Sequence, residues 1–248
     1  VNTGLLPLAE GATVYRFPLN KYPSLSSLYR KTIGLFPHRL GVWNQRYMNQ
    51  SYAINEAIEI SKSDKIIFQK IVNLSKTHDY ILALTMSTHA PHEEYADSSK
   101  IHLSSDFSKR TRNYVKSVNY MDEGLGLLLK AWHTDERLQS STIVITSDHN
   151  IFKRKEALLS GKHEYLNQKV GICPLVILSP KINGNICMKE TYGQMDIYPT
   201  ILHLIDCEDY YWKGFGINLL DSTARTNRPI SEHDAFILSD QIIRANWF

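Results

Sequence analysis

The sequence predicts an α/β protein with a mostly parallel central sheet flanked by helices. Two continuous apolar runs, residues 80–86 and 142–146, have the length and composition of buried strands, and each ends in a cluster of polar residues. Between them, residues 109–133 carry Tyr114, Val118, Met121, Leu125, Leu128 and Trp132 at alternating steps of four and three, one stripe of a long helix. Strand, helix, strand in that order reads as a right-handed βαβ crossover.

In chain order, residues 1–23 hold Pro7, Gly11, Pro18 and Pro23 and read as loop, with a brief strand at 13–17. Residues 24–31 read as a helix capped by Ser24 or Ser26, with Leu25 and Leu28 facing inward. Residues 32–52 are broken by glycine and proline and read as a loop carrying His38, Arg39, Trp43 and Arg46. Aromatic and cationic groups concentrated in one loop suit an anionic ligand, whereas the plainer reading makes Trp43 a packing anchor. Residues 55–75 fit one or two helices, the second starting near Asp64 with Ile66, Ile67, Ile71 and Leu74 on one face.

The 80–86 strand runs into Ser87-Thr88-His89-Ala90-Pro91-His92, and residues 93–108 read as a polar surface loop. The 109–133 helix is expected to pack on the sheet, with Arg112, Lys116, Asn119, Glu123 and Lys130 facing away. The 142–146 strand delivers Ser147-Asp148-His149-Asn150. A short helix at 153–160 and a loop at 161–165 containing His163 follow. Residues 170–178 form a further strand in which Pro174 implies an edge or a bulge. Asn183-Gly184 marks a turn. Residues 194–205 read as a helix with Met195, Tyr198, Leu202 and Ile205 on one face, which Pro199 would kink unless it lies in the first turn. The remainder, 207–248, is weakly patterned.

The net charge is +3 with no dense Lys/Arg block, so nucleic acid is not an expected partner. Cys173, Cys187 and Cys207 form no CxxC pair and are odd in number, which disfavours a structural zinc site of that kind and a full disulfide framework. There is no apolar window long enough to span a bilayer and no signal peptide. The chain begins with Val1 and is expected to be a fragment.

In open α/β sheets, ligands sit outside the carboxyl ends of the strands. Asp148 and His149 fall there and together offer a hard oxygen and a borderline nitrogen, a mix that suits zinc or manganese. The plainer reading is a helix cap and a loop histidine. A second buried strand ending in His89 favours a site.

Four ordered segments carry a resemblance to lipoteichoic acid synthases and, more widely, to the sulfatase and alkaline phosphatase superfamily. Met86-Ser-Thr-His-Ala-Pro91 resembles "L-S-x-H-x-P", and residues 142–149 resemble the strand that ends in the metal-binding Asp-His. Cys173-Pro-Leu-Val-Ile177 resembles "V-P-L-x-I", and residues 194–204 resemble the "D-x-x-P-T-x-L-x-L" helix. The resemblance covers about residues 1–220 and implies that 1–248 is a single catalytic-domain fragment of alkaline phosphatase/sulfatase-like fold, N-terminally truncated, with 221–248 a tail.

The resemblance implies that Asp148 and His149 bind a catalytic divalent metal, manganese first and zinc, magnesium or calcium otherwise. It implies that His89 contacts the phosphate or leaving group, where an imidazole can protonate a departing alkoxide. Trp43-Asn-Gln-Arg46 resembles, with one extra residue, a "W-N-R" element that holds a phosphoglycerol headgroup, with His38 before it; His163 resembles a histidine of the phosphoethanolamine branch. Asn2-Thr-Gly-Leu-Leu-Pro7 resembles the segment just after the family's nucleophile, so Thr3 is not that nucleophile and the fragment is expected to be inactive. The implied substrate is an anionic phospholipid or glycerol phosphate, handled by an extracytoplasmic domain of a membrane-tethered parent. Two other readings stay open: a true sulfatase with a formylglycine nucleophile, and a non-catalytic module that binds an anionic polymer.

Overall fold

A computed structural model describes residues 1–60, 63–92, 100–149, 173–211, 214–226 and 230–247. The chain forms two compact units: Val1–Glu59 with Thr77–Leu82 and Gly184–Phe248, and Ile60–Lys76 with Ala83–Asn183.

The first unit is built on a strand that the sequence pattern does not reveal. Residues Thr32–Phe36 (β1) are all buried, where a loop is expected. Gly34 conceals it, because a Cβ there would overlap the Phe36 ring; the glycine makes room for an aromatic core residue and also breaks the apolar run. Glu56–Glu59 (β2), expected to be helical, pairs parallel to β1, with Ile33 opposite Glu56 and Phe36 opposite Glu59. Tyr80–Ala83 (β3) lies on the other side of β1. The fully buried strand is thus β1, whereas β3 is half-buried along its length.

Around the sheet, Thr13–Arg16 (α1) is one helical turn instead of a strand. Leu25–Leu28 is a single 3-10 turn instead of a helix over 24–31. Ser24 and Ser26 do not cap it; both hydroxyls donate to the Tyr52 carbonyl. After a 3-10 turn at Val42–Asn44 comes Gln45–Ser51 (α2). The next helix of this unit, Ile197–Leu204, follows a 3-10 turn at Gln194–Asp196 and starts late enough to put Pro199 in its first turn without a kink, with Met195, Tyr198 and Leu202 buried. Ile205 has left the helix and caps it.

The final segment is not a loose tail. After a short helix at Ser222–Thr226, the helix Glu232–Ala245 places Ile243 in a buried cluster with Leu8, Tyr22 and Met48. It accepts hydrogen bonds from the first residues of the chain: Leu6 N–H to Ser239 Oγ at 3.0 Å and Ala9 N–H to Asp240 Oδ1 at 3.1 Å. Asn20 Nδ2 donates to the Ile243 carbonyl at 2.8 Å.

The second unit contains Asp64–Leu74 (α3), Lys109–Thr134 (α4), Glu136–Gln139 (α5), and the strands Ile143–Thr146 (β4) and Leu175–Leu178 (β5). On α3 it is Ile67 and Phe68 that are buried, while Ile66 is 40% exposed. Helix α4 packs most extensively on α3 rather than on a strand. Its buried positions are Thr111, Ser117, Tyr120, Gly124 and Leu128, so only Leu128 of the expected apolar stripe is fully buried. Strand β4 pairs antiparallel with β5, Ile143 opposite Leu178 and Thr146 opposite Leu175. The order β3, α4, β4 is as expected, but the described ladders put β3 and β4 in separate sheets. Pro174 immediately precedes β5 and removes no ladder hydrogen bond. No helix among the described residues is long and apolar enough to cross a membrane.

Candidate active site

In the first unit, the loop after β1 brings His38 and Trp43 together. The His38 ring lies edge-on to the Trp43 indole at 5.0 Å between centroids and is tilted against Phe36 at 5.9 Å. Trp43 and Asn44 both have left-handed backbone, φ 52° and 54°. Asn tolerates this conformation, whereas for a bulky aromatic it is strained. Trp43 is held there because Asn44 Nδ2 donates to the Val14 carbonyl at 3.1 Å and the Arg46 N–H donates to the Leu40 carbonyl at 3.1 Å. The Leu40 N–H in turn donates to Glu59 Oε1, at the end of β2, at 2.8 Å. The result is an indole that stays 50% exposed.

His38 Nδ1 lies 3.1 Å from the Arg39 carbonyl, which can only accept, so Nδ1 carries the proton and Nε2 is an acceptor in the neutral ring. That Nε2 is buried and has no hydrogen-bond partner among the described residues. An orphaned buried acceptor beside a half-exposed indole fits a ligand hydroxyl. Arg46, in the first turn of α2, is exposed on the same loop.

In the second unit, β4 ends at Thr146 and the chain delivers Asp148 and His149 to solvent. The His149 N–H donates to Asp148 Oδ1 at 3.0 Å, and His149 Nε2 lies 3.7 Å from Asp148 Oδ2. One oxygen and one nitrogen donor thus share one side of the turn, a donor set that fits a divalent ion but supplies two of its four or more ligands. Among the described residues no group of three His, Cys, Asp or Glu is positioned to hold a metal. His163 and the expected 153–160 helix lie outside the described residues.

His89 lies in the loop that follows β3. Residues 86–89 form a turn closed by the His89 N–H to the Met86 carbonyl at 2.9 Å. The His89 side chain is exposed, with Nδ1 2.7 Å from the Ala90 carbonyl. Nδ1 therefore carries a proton and Nε2 is the nitrogen offered to a substrate.

Sequence reasoning missed two residues of this loop's surroundings. Asp64, at the head of α3, is fully buried and accepts hydrogen bonds from Met86 and Ser87. His92 is 2% exposed, meets Tyr114 edge-on at 5.4 Å, and neither of its ring nitrogens has a hydrogen-bond partner among the described residues. Burial lowers the His92 pKa, with Arg110 and His89 adding to the effect and the Thr88 backbone opposing it. Nothing in the spacing separates either residue from an ordinary helix-start Asp or loop His. Beyond His89, a cavity of about 530 Å³ is lined by Ala90, Pro91, Lys109, Arg110 and Asn113. Thr3 is buried, and its Oγ1 accepts from the Leu5 N–H at 3.3 Å.

A family model described as Sulfatase matches residues 21–207. The lipoteichoic acid synthase-like protein YvgJ of Bacillus subtilis (strain 168) is 28% identical over 176 residues, 67% of this chain and 28% of the relative. The lipoteichoic acid synthase of Staphylococcus aureus (strain USA300) is 24% identical over 194 residues, 74% of this chain and 29% of the relative. The chain therefore spans less than a third of the length of these curated relatives. Among solved structures, the lipoteichoic acid synthase LtaP from Listeria monocytogenes superposes with a TM-score of 0.73 at 20% identity, covering 89% of this chain and 61% of that one. The Streptococcus pyogenes phosphoglycerol transferase GacH, solved in complex with sn-glycerol-1-phosphate, gives 0.65 at 16% identity, covering 99% and 70%. The fold is the one these proteins share.

Proposed function

Because the chain belongs to the sulfatase family, we propose that it is part of a metal-dependent phosphodiester transferase or hydrolase acting on a glycerol-phosphate headgroup of a cell-envelope lipid or polymer. In this reading the protein is membrane-tethered and this domain works outside the cytoplasm. The observation that carries the reading is the buried Nε2 of His38, without a partner among the described residues, beside the strained, half-exposed Trp43. It fits a small polyol: a glycerol hydroxyl donates to Nε2 while the indole covers its carbon edge. Arg46 meets the phosphate through charge-assisted hydrogen bonds. The names of the lipoteichoic acid synthase relatives support the same headgroup.

Asp148 and His149 would hold the divalent metal, manganese first, which when bound neutralises phosphate oxygens and activates a hydroxyl nucleophile. His89 acts at Nε2, giving a proton to the departing alkoxide and recovering it from the next acceptor. Thr3 is not assigned as the nucleophile, since it is buried with its hydroxyl turned to the Leu5 N–H.

The test offers the full-length protein a chromogenic phosphodiester and a chromogenic sulfate ester, with manganese and with chelator. Phosphodiester cleavage that requires manganese is expected. Asp148→Ala and His149→Ala should each lose bound metal and turnover together. Arg46→Ala should raise KM by about tenfold to a hundredfold, the cost of one charge-assisted hydrogen bond. Cleavage of the sulfate ester alone would reassign the protein as a sulfuric ester hydrolase. Glycerol-phosphate binding that survives chelation, with no turnover of either ester, would make it a non-catalytic binding module.

A further inference from the structure

We infer that Asp64 is the positioning residue for His89; the inference rests on the role just proposed for His89. Asp64 opens α3 and is fully buried. A carboxylate in the first helical turn commonly serves its own helix, whose free N–H groups lie close by. This one serves a different segment. Oδ1 accepts from the Met86 N–H at 2.8 Å and the Ser87 N–H at 3.3 Å, and Oδ2 accepts from the Ser87 N–H at 3.3 Å and from the Ser87 hydroxyl. The donors belong to two consecutive residues, the first two of the turn that His89 closes. Ser87 is itself 3% exposed.

Burying a carboxylate is costly unless its lone pairs are occupied, and no ion pair of Asp64 is present among the described residues. A neutral, apolar contact would hold the loop against α3 at lower cost but would leave it free to slide. Hydrogen bonds to two successive N–H groups and a hydroxyl fix the turn in position and in rotation. His89 follows two residues later, so its imidazole inherits that fixation.

The clamp stands on a firm base. Ser63, the residue before Asp64, leaves its own helix uncapped and hydrogen-bonds the Tyr120 hydroxyl of α4 at 2.7 Å. Lys65 pairs with Glu123 of α4 at 2.6 Å and lies 4.6 Å above the Tyr120 ring. The far end of the loop is held by the same helix, through Ser117 Oγ to the His92 carbonyl at 3.5 Å and Tyr114 against the His92 ring. Two helices joined to each other therefore hold the loop at both ends, while His89 between them stays exposed.

The experiment compares Asp64→Asn and Ser87→Ala with the unmodified protein, reading the His89 imidazole resonances by NMR as a function of pH and, in the full-length protein, the pH profile of kcat. Asn turns one acceptor into a donor facing the Ser87 donors; Ser87→Ala removes one hydrogen bond and keeps the carboxylate, so it reports even if Asp64→Asn fails to fold. The expected result is displaced or broadened His89 resonances in both variants. With it, kcat should fall by about tenfold to a hundredfold while KM moves by less than about threefold, as for a displaced catalytic group. Unchanged His89 resonances and an unchanged kcat profile in a folded Ser87→Ala protein would overturn the inference. If the unmodified full-length protein turns over no ester, the phosphodiester reading fails on its own, and the His89 resonances still decide whether Asp64 positions that ring.

Discussion

His38 and His92 both have ring nitrogens without a hydrogen-bond partner among the described residues, yet only the His92 side chain is buried as a whole. His38 has one nitrogen committed to the Arg39 carbonyl and the other, beside Trp43, unpartnered among the described residues. His92 has neither nitrogen paired among the described residues, and its surroundings disfavour the cation through burial, Arg110 and His89 against an opposing Thr88 backbone. Its folded pKa is below the usual histidine value of about 6.5. Between those two values the unfolded chain binds the proton and the folded one does not, so stability rises with pH across that window and falls as pH drops through about 6.5. The melting temperature should therefore be lower at pH 5 than at pH 7.5, and His92→Phe should flatten that dependence. An unchanged slope in the variant would show that other groups set it. Trp43 makes the complementary case. Replacing it by Gly relieves the left-handed backbone and removes the indole, so stability should hold or improve while glycerol-phosphate affinity falls, readable by calorimetry.

The informative element is α4, whose seam with α3 is made by small and polar residues. A Cβ at Gly124 would lie 2.9 Å from the Phe68 ring and 3.2 Å from the Lys65 Cα, a backbone atom that cannot move aside cheaply. Gly126, two residues on, faces open space. The two glycines should respond oppositely. Gly124→Val should destabilise by about 1–3 kcal/mol through overpacking. Gly126→Ala should stabilise by about 0.5–1 kcal/mol, since it gains helix propensity and meets nothing. Denaturant midpoints of the two variants check this, and a stable Gly124→Val protein would mean that α3 and α4 are not as tightly apposed.

Across the whole molecule, the first unit is closed by its two ends. Ile243, 2% exposed near the end of the chain, completes the cluster around Leu8, Tyr22 and Met48. Ile243→Ala should cost about 2–5 kcal/mol, the range for truncating a buried aliphatic side chain. Removal of residues 221–248 should expose that cluster and unfold the first unit, which circular dichroism and dye binding would report. If the truncated protein melts as the intact one does, the final helix is dispensable.

The sequence by itself determined the α/β class, the long helix read over 109–133, the strands at 80–83 and 143–146 whose following loops carry His89 and Asp148-His149, and the restriction of Pro199 to a first helical turn or a kink. These are set by local signals: uninterrupted apolar runs, a period near 3.6, and the missing N–H of proline. Tertiary structure alone decided the rest. Strand β1 is hidden because Gly34 yields its side-chain volume to Phe36, and β2 is strand because the buried β1 needs a partner for its backbone groups. The left-handed backbone at Trp43 is imposed by hydrogen bonds from Asn44 to Val14 and from Arg46 to Leu40. Asp64 acquires its meaning only when Met86 and Ser87, 22 and 23 residues away, present their donors to it. The pairing of β1 with β2, the hydrogen bond from Asn44 to Val14 and those from Met86 and Ser87 to Asp64 join segments distant in the chain, and no local pattern encodes a partner that folding brings in from elsewhere.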